Sequence, residues 1–224
     1  MQRHFDQELE ELKKELLRMG SLSEAAINEA VEALRSLDGK RAQTVINNDS
    51  VVDALENTID EKCLDLLALQ QPMAVDLRFV TMVMQISTDI ERIADLAVDI
   101  AQRVLELVDK PLLKPLVDIP SLSTVSQKMV KEVLTAFVNK DTALAQQVIA
   151  CDAQADELRN KIARELIEDY MMKDSLTAPR AVPLLLVSRH LERICDHATN
   201  IAEDVIFMVS ARVVKHHGEK ADNV

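Results

Sequence analysis

The chain has 224 residues, 48% of them hydrophobic, which is enough apolar material for a buried core in one or two domains. Its net charge of −12, without a basic stripe along any predicted helix, excludes the electrostatic footprint of a nucleic-acid-binding protein. Only 3 glycines, 1 tyrosine and 4 phenylalanines occur, and no tryptophan, so the composition predicts an all-α protein without strands.

The cysteines and the N-terminus indicate the compartment. Cys63, Cys151 and Cys195 are far apart and form no CxxC pair, which is typical of reduced thiols in the core of a cytosolic protein. Residues 1–19 are highly charged, and no apolar run approaches the roughly 20 residues of a membrane span. We therefore expect a cytoplasmic protein that meets a membrane only peripherally, through a membrane complex.

Turn residues divide the chain into long helix-period segments, among them Arg41–Gln70 and Val75–Val108. A cluster of three prolines at 111, 115 and 120 predicts the joint between two halves, because proline interrupts helical hydrogen bonding. The predicted domains are therefore residues 1–112 and 113–224. The breaks predicted in chain order are Gly20-Ser21, 37–39, Gln71-Pro72, 111–120, 139–141 and 173–183.

The two halves are repeats of one unit. Residues 33–59 align with 136–162 at a constant offset of 103, and the offset is 101 where 90–95 matches 191–196. Short loops between long amphipathic helices favour antiparallel neighbours. The predicted fold is a tandem duplication of an up-down-up three-helix bundle, with six long antiparallel helices and the two bundles side by side.

Each repeat carries the same acidic pattern on its third helix. Glu91 and Asp95 are four residues apart, as are Glu192 and Asp196, so each pair lies on one face of its helix. Hard cations take oxygen ligands, and transition metals accept carboxylates. The predicted metal ligands on these helices are Glu91, Asp95, Asp99, Glu192, Asp196 and Asn200.

A second acidic set lies one helix earlier, as the pairs Asp49/Asp53 and Asp152/Asp156. If neighbouring helices pack antiparallel, these pairs approach the Glu-Asp pairs and complete an octahedral oxygen shell. The alternative is a solvated or helix-capping role, and on the third helix the pairing of Asp99 with Arg103 needs no metal. The expected cofactor is a divalent or transition metal ion, with Fe, Zn, Mg and Mn all open.

Residues beside the acids have plainer interpretations. Arg92 and Arg193 either hold a ligand carboxylate or pair structurally, and His190 and His197 are expected at an interface or in solvent. His216 and His217 fall in a polar tail that we expect to be disordered. The chain has no Glu-x-x-His pair, no P-loop and no G-x-S-x-G elbow, so an enzyme is not expected.

The sequence resembles the PhoU family over roughly residues 5–210. The resemblance is carried by Asp-Ile-Glu-Arg-Ile-Ala-Asp at 89–95, by the related run at 190–205, and by the duplicated three-helix layout. It implies a cytoplasmic negative regulator of phosphate uptake and of the phosphate-starvation response. Such a protein acts as an adaptor between the ATPase subunit of a phosphate ABC transporter and a sensor histidine kinase, and is commonly a homodimer.

The resemblance also implies where metal clusters form. The family's E(D)-x-x-x-D motifs fall on Glu91, Asp95 and Asp99 and on Glu192 and Asp196, with Asn200 where the first repeat has an acid. Two alternatives stay open at this point. One is a divalent-cation-binding helical protein without a role in phosphate signalling, and the other is a helical scaffold with solvated acidic faces.

Overall fold

The computed structural model describes residues 2–214, and the side chains of residues 5–214; His216 and His217 lie outside the described residues. This part of the chain is all-α and contains no strand, which confirms the predicted fold class. The helices are α1 (Gln2–Ser36), α2 (Gly39–Gln70), α3 (Ala74–Leu107), α4 (Asp118–Asn139), α5 (Thr142–Arg164) and α6 (Ala178–Ser210).

Equivalent turns begin the second helix of each repeat. Asp38 caps α2 and Asp141 caps α5, each with a carboxylate that accepts hydrogen bonds from two backbone N–H groups of the first turn. The residues before the caps, Leu37 and Lys140, both have left-handed backbone angles, with φ of 50° and 54°. The aspartates therefore set the same antiparallel turn in both halves.

The break predicted at Gly20-Ser21 is wrong, because α1 continues through both residues. Gly20 serves packing between helices instead. A Cβ atom at Gly20 would lie 2.5 Å from Cδ1 of Leu134 on α4, so any larger residue would require the Leu134 side chain to shift.

The connection between α5 and α6 also differs from the prediction. A π-helical turn, Glu165–Met171, extends α5, and a 3-10 turn, Ser175–Thr177, leads into α6. Pro183 lies inside α6 and does not mark a turn. In a regular helix, the carbonyl of Pro179 would accept the N–H that Pro183 lacks. Here the Lys110 ammonium donates to that carbonyl at 3.2 Å, which satisfies it from outside the helix.

The two repeats pack through α3 and α6, with α1 against α4 beside them. Asp89 contacts Asn200, and Asp99 contacts His190, so α3 and α6 run antiparallel. The repeat alignment exchanges these two contacts, which gives the molecule an approximate two-fold relation between its halves. Their apolar side chains form one continuous core. The predicted domain boundary at 112/113 falls between α3 and α4, and the division into domains stays a prediction.

Candidate metal centre

The first acidic cluster forms where α2 faces α3. Asp49 and Asp53 lie on α2, one turn apart, and Asp95 lies opposite them on α3. The pKa of Asp49 is raised to about 6, first by burial and then by the charges of Asp53 and Asp95. The antiparallel packing of α2 and α3 therefore brings the two predicted acidic pairs together.

Glu91, on α3, is the most strongly shifted acid of this cluster. Its side chain is 16% exposed, and its Oε2 atom is buried without a hydrogen-bond partner. The Nε of Arg92 lies 3.4 Å from that oxygen. Burial raises the pKa of Glu91 to about 7, with further raising by Asp95 and, more weakly, by Glu56 and Asp53; Arg92 opposes the shift. An added cation would relieve the repulsion among these carboxylates.

The second cluster repeats the arrangement between α5 and α6. The pKa of Asp196 is raised to about 6, first by partial desolvation of its carboxyl and then by Glu192, Asp152 and Asp156. His197 opposes the shift. The α5 pair thus lies beside the α6 pair, as its counterpart does in the first repeat.

The cysteines are not among the candidate ligands of these clusters. Burial, followed by the charges of the second cluster, raises the pKa of the Cys195 thiol, and burial raises the pKa of Cys63 to about 12. A thiol binds metal as thiolate, which both environments disfavour. Cys63 and Cys195 lie in the core as predicted, whereas Cys151 is only half-buried.

Asp99 and Asn200 make contacts across the junction between the repeats, and their predicted role as metal ligands stays a prediction. The Oδ2 atom of Asp99 is 3.6 Å from Nδ1 of His190, and the Asn200 amide donates to Asp89 Oδ1 at 3.4 Å. Each four-residue step drifts by about 40° around a helix, so the third position turns away from the neighbouring α2 or α5. The predicted pairing of Asp99 with Arg103 is also absent, since Arg103 pairs with Glu106 at 2.6 Å.

His197 and Arg92 take structural positions. Nδ1 of His197 lies 2.7 Å from Asp89 Oδ1, across the junction between the repeats, as expected of an interface residue. Arg92 pairs with Asp95 at 3.2 Å, at the rim of the first cluster. Arg92 thereby limits how freely the Asp95 carboxylate turns.

Two residues at the clusters were missed by sequence analysis. Glu56 adds a fifth carboxylate to the first cluster. At the equivalent position of the second cluster, Arg159 donates from Nη2 to Glu192 Oε1 at 3.1 Å. The repeat alignment contains the signal, since an offset of 103 pairs Glu56 with Arg159.

The residues of the first cluster fit a hard cation. Their donors are carboxylate oxygens, and one of these, Oε2 of Glu91, is buried and lacks a hydrogen-bond partner. Across residues 2–214, no three or more His, Cys, Asp or Glu side chains form a group that holds a metal ion as they stand. None of the helices in the same range has the length and apolar composition needed to cross a bilayer.

Fold and site together define a class of protein: an all-helical tandem repeat with one acidic cluster in each half. Comparison with known proteins gives the family. The sequence profile of the PhoU domain matches residues 16–104 and again 119–205, one match in each repeat. The chain belongs to the PhoU family, which confirms the resemblance noted in its sequence.

Relatives of similar length support the assignment. The "Phosphate-specific transport system accessory protein PhoU homolog" of Aquifex aeolicus is 40% identical over 93% of this chain and 94% of its own length. The crystal structure of PhoU from Pseudomonas aeruginosa has a TM-score of 0.89 and 38% identity, covering 93% of this chain and all of that one. A phosphate transport system regulatory protein PhoU from Streptococcus pneumoniae has a TM-score of 0.88 and 31% identity, covering 95% and 100%.

Proposed function

We propose that this protein is a cytoplasmic negative regulator of phosphate uptake and of the phosphate-starvation response. The observation that carries the proposal is membership of the PhoU family along both repeats, with relatives named as phosphate transport accessory and regulatory proteins. A non-enzymatic role is in keeping with a sequence that contains none of the catalytic motifs sought.

The proposed mode of action is that of an adaptor. Its partners would be the ATPase subunit of the phosphate ABC transporter and the sensor histidine kinase of the phosphate regulon, and the chain itself would form a homodimer. A net charge of −12 favours docking on basic partner surfaces. The protein would then meet the membrane only through these complexes.

Two exposed apolar ends support contact with more than one partner. Leu69 and Met73, where α2 meets α3, are 77% and 81% exposed. Met172 and Leu176, where α5 meets α6, are 75% and 81% exposed. Because α3 and α6 run antiparallel, these two turns lie at opposite ends of the molecule. Exposed apolar groups of this kind favour association with other proteins.

The adaptor is further proposed to bind metal through its two acidic clusters. The proposed ligands are Asp49, Asp53, Glu91 and Asp95 in the first repeat and Asp152, Asp156, Glu192 and Asp196 in the second. Burial, and after it repulsion among the carboxylates, raises the pKa values of Asp49, Glu91 and Asp196, and rotation of the carboxylates toward an ion would relieve the repulsion. Mg²⁺ and Mn²⁺ suit such an all-oxygen shell, and Fe and Zn accept carboxylates as well.

Deletion of the gene tests the regulatory role. Without this protein, we expect a phosphate-starvation reporter to be active in phosphate-rich medium, and the intact gene to silence it again. A complementing gene carrying Glu91→Gln and Asp95→Asn, which keeps side-chain size and removes charge, tests whether the first cluster is needed. A reporter that stays silent after deletion would contradict the regulatory role and favour a cation-binding protein outside phosphate signalling.

A further inference from the structure

Each cluster has four carboxylates, and one of the differences between the repeats lies beside them on the second helix of each unit. The first has Glu56 on α2, and the second has Arg159 at the equivalent place on α5. The exchange changes the local formal charge by two units. Both residues lie one turn beyond an aspartate of the cluster, Asp53 or Asp156, so both face the same space in their own repeat.

Arg159, whose side chain is 35% exposed, contacts the second cluster through a directed hydrogen bond. Its Nη2 atom donates to Glu192 Oε1 at 3.1 Å, and the Glu192 side chain is only 14% exposed. The Nε atom of Arg159 is buried and has no hydrogen-bond partner. A guanidinium that is permanently charged and lies against a carboxylate supplies positive charge that a bound metal ion would otherwise supply.

At the equivalent position the first cluster has Glu56 in place of the arginine. The negative charge of Glu56 adds to the negative charge of the cluster and raises the pKa of Glu91 further. The cation that does contact Glu91 is Arg92, whose side chain is 56% exposed and is shared with Asp95. Neutralisation of the first cluster therefore depends more on a cation from solution.

We propose that Arg159 is a built-in substitute for a metal ion, so that the first cluster binds a divalent cation tightly and the second binds one only weakly. The inference rests on the metal binding proposed above. It makes the repeats functionally unequal, with Glu56 and Arg159 as the residues that determine the difference.

Equilibrium dialysis of the full chain against Mn²⁺, with bound metal measured by elemental analysis, tests the proposal. The wild-type isotherm is expected to show one tight and one weak class of site. Asp95→Asn should remove the tight class, and Asp196→Asn the weak one. Arg159→Glu, which gives the second cluster the acid of the first, should tighten the weak class by about 10- to 100-fold, the range over which residues behind metal ligands change affinity.

Three further variants separate this effect from general charge or misfolding. Glu56→Arg should weaken the tight class over a similar range. Arg159→Gln removes the guanidinium without adding an acid, and should tighten the weak class by less than Arg159→Glu does. Arg164→Glu changes the net charge by the same amount at an exposed position on the same helix, pointing about 140° away, and should leave the isotherm unchanged.

The outcomes distinguish this inference from the proposed function. If Mn²⁺ binds but Arg159→Glu and Arg159→Gln leave the weak class unaltered, or Arg164→Glu alters it as much, Arg159 is not a metal substitute and metal binding itself stands. If neither wild type nor any variant binds Mn²⁺, both the inference and the proposed metal binding are wrong.

Discussion

Glu91 shows how a single side chain in the first cluster links charge to stability. Burial and neighbouring carboxylates raise its pKa from 4.5 to about 7. A carboxyl whose folded-state pKa is raised binds its proton more tightly in the folded state. Its contribution to stability is therefore fully present below about pH 4.5 and is lost as the pH rises through about 7.

We expect Glu91→Gln to increase the free energy of unfolding of the metal-free protein at pH 8 by about 1 kcal/mol, after allowance for solvent screening. Glutamine has the shape of the protonated acid and cannot ionise. Urea denaturation with a chelator, at pH 4 and pH 8, measures the effect, which should nearly vanish at pH 4. Glu10→Gln, at an exposed position on α1, is the control. A loss of stability at pH 8 would mean that the ionised form is favoured.

At the scale of residues, the four-residue spacing predicted which acids share a helix face, while their role as metal ligands stays a prediction. Glu91 and Asp95 lie on the face turned toward α2, because a four-residue step nearly closes a helical turn. Asp99, two such steps from Glu91, lies instead at the junction with the other repeat, where its carboxylate faces His190. The alignment pairs Glu56 with Arg159. That these two side chains face the acidic clusters depends on the rotation of α2 and α5 about their axes, which only the packed structure shows.

The crossing of α1 and α4 gives a prediction at the scale of elements. Gly20 weakens α1 by about 1 kcal/mol relative to alanine, whereas overpacking costs about 1–3 kcal/mol. Since Leu134 is buried and stands 2.5 Å from the new Cβ position, Gly20→Ala should lower the free energy of unfolding by about 1 kcal/mol. With Leu134→Ala as background, the same change should be stabilising. A double-mutant cycle of urea denaturation measures both.

The same sign for Gly20→Ala in both backgrounds would show that Leu134 is not the obstacle.

The structure also explains why some turns are predicted correctly from the sequence and others are not. The turns at Asp38 and Asp141 were predicted because a capping aspartate acts locally. The sequence wrongly predicts breaks at Gly20 and Pro183, because the roles of these residues depend on Leu134 and Lys110, which are distant in sequence.

For the whole molecule, the shared core has a consequence for dissection. Ile86, Ile93 and Ile100 on α3 are fully buried, as are Leu191 and Ile201 on α6. Fragments 1–112 and 113–224 would each expose part of this surface, so each should have reduced helicity and low stability alone. Mixing them should restore a one-to-one complex with native helicity.

Circular dichroism and size-exclusion chromatography with light scattering measure these changes. Two fragments that fold as stable monomers, with melting temperatures near that of the intact chain, would contradict a core shared between the repeats.

The sequence predicted the three-helix unit and its duplication from the alignment. How closely the units merge could not be read from periodicity, because a buried stripe does not reveal which helix covers it.

The reciprocal contacts of Asp89 with Asn200 and of Asp99 with His190 are those that two identical subunits would make around a common axis. In such a pair of separate chains, every mutation enters both copies at once. Joining the copies through residues 108–117 frees each to change alone. A glutamate can then remain at position 56 of the first repeat while an arginine occupies the equivalent position 159 of the second. A symmetric dimer of identical chains does not allow that difference.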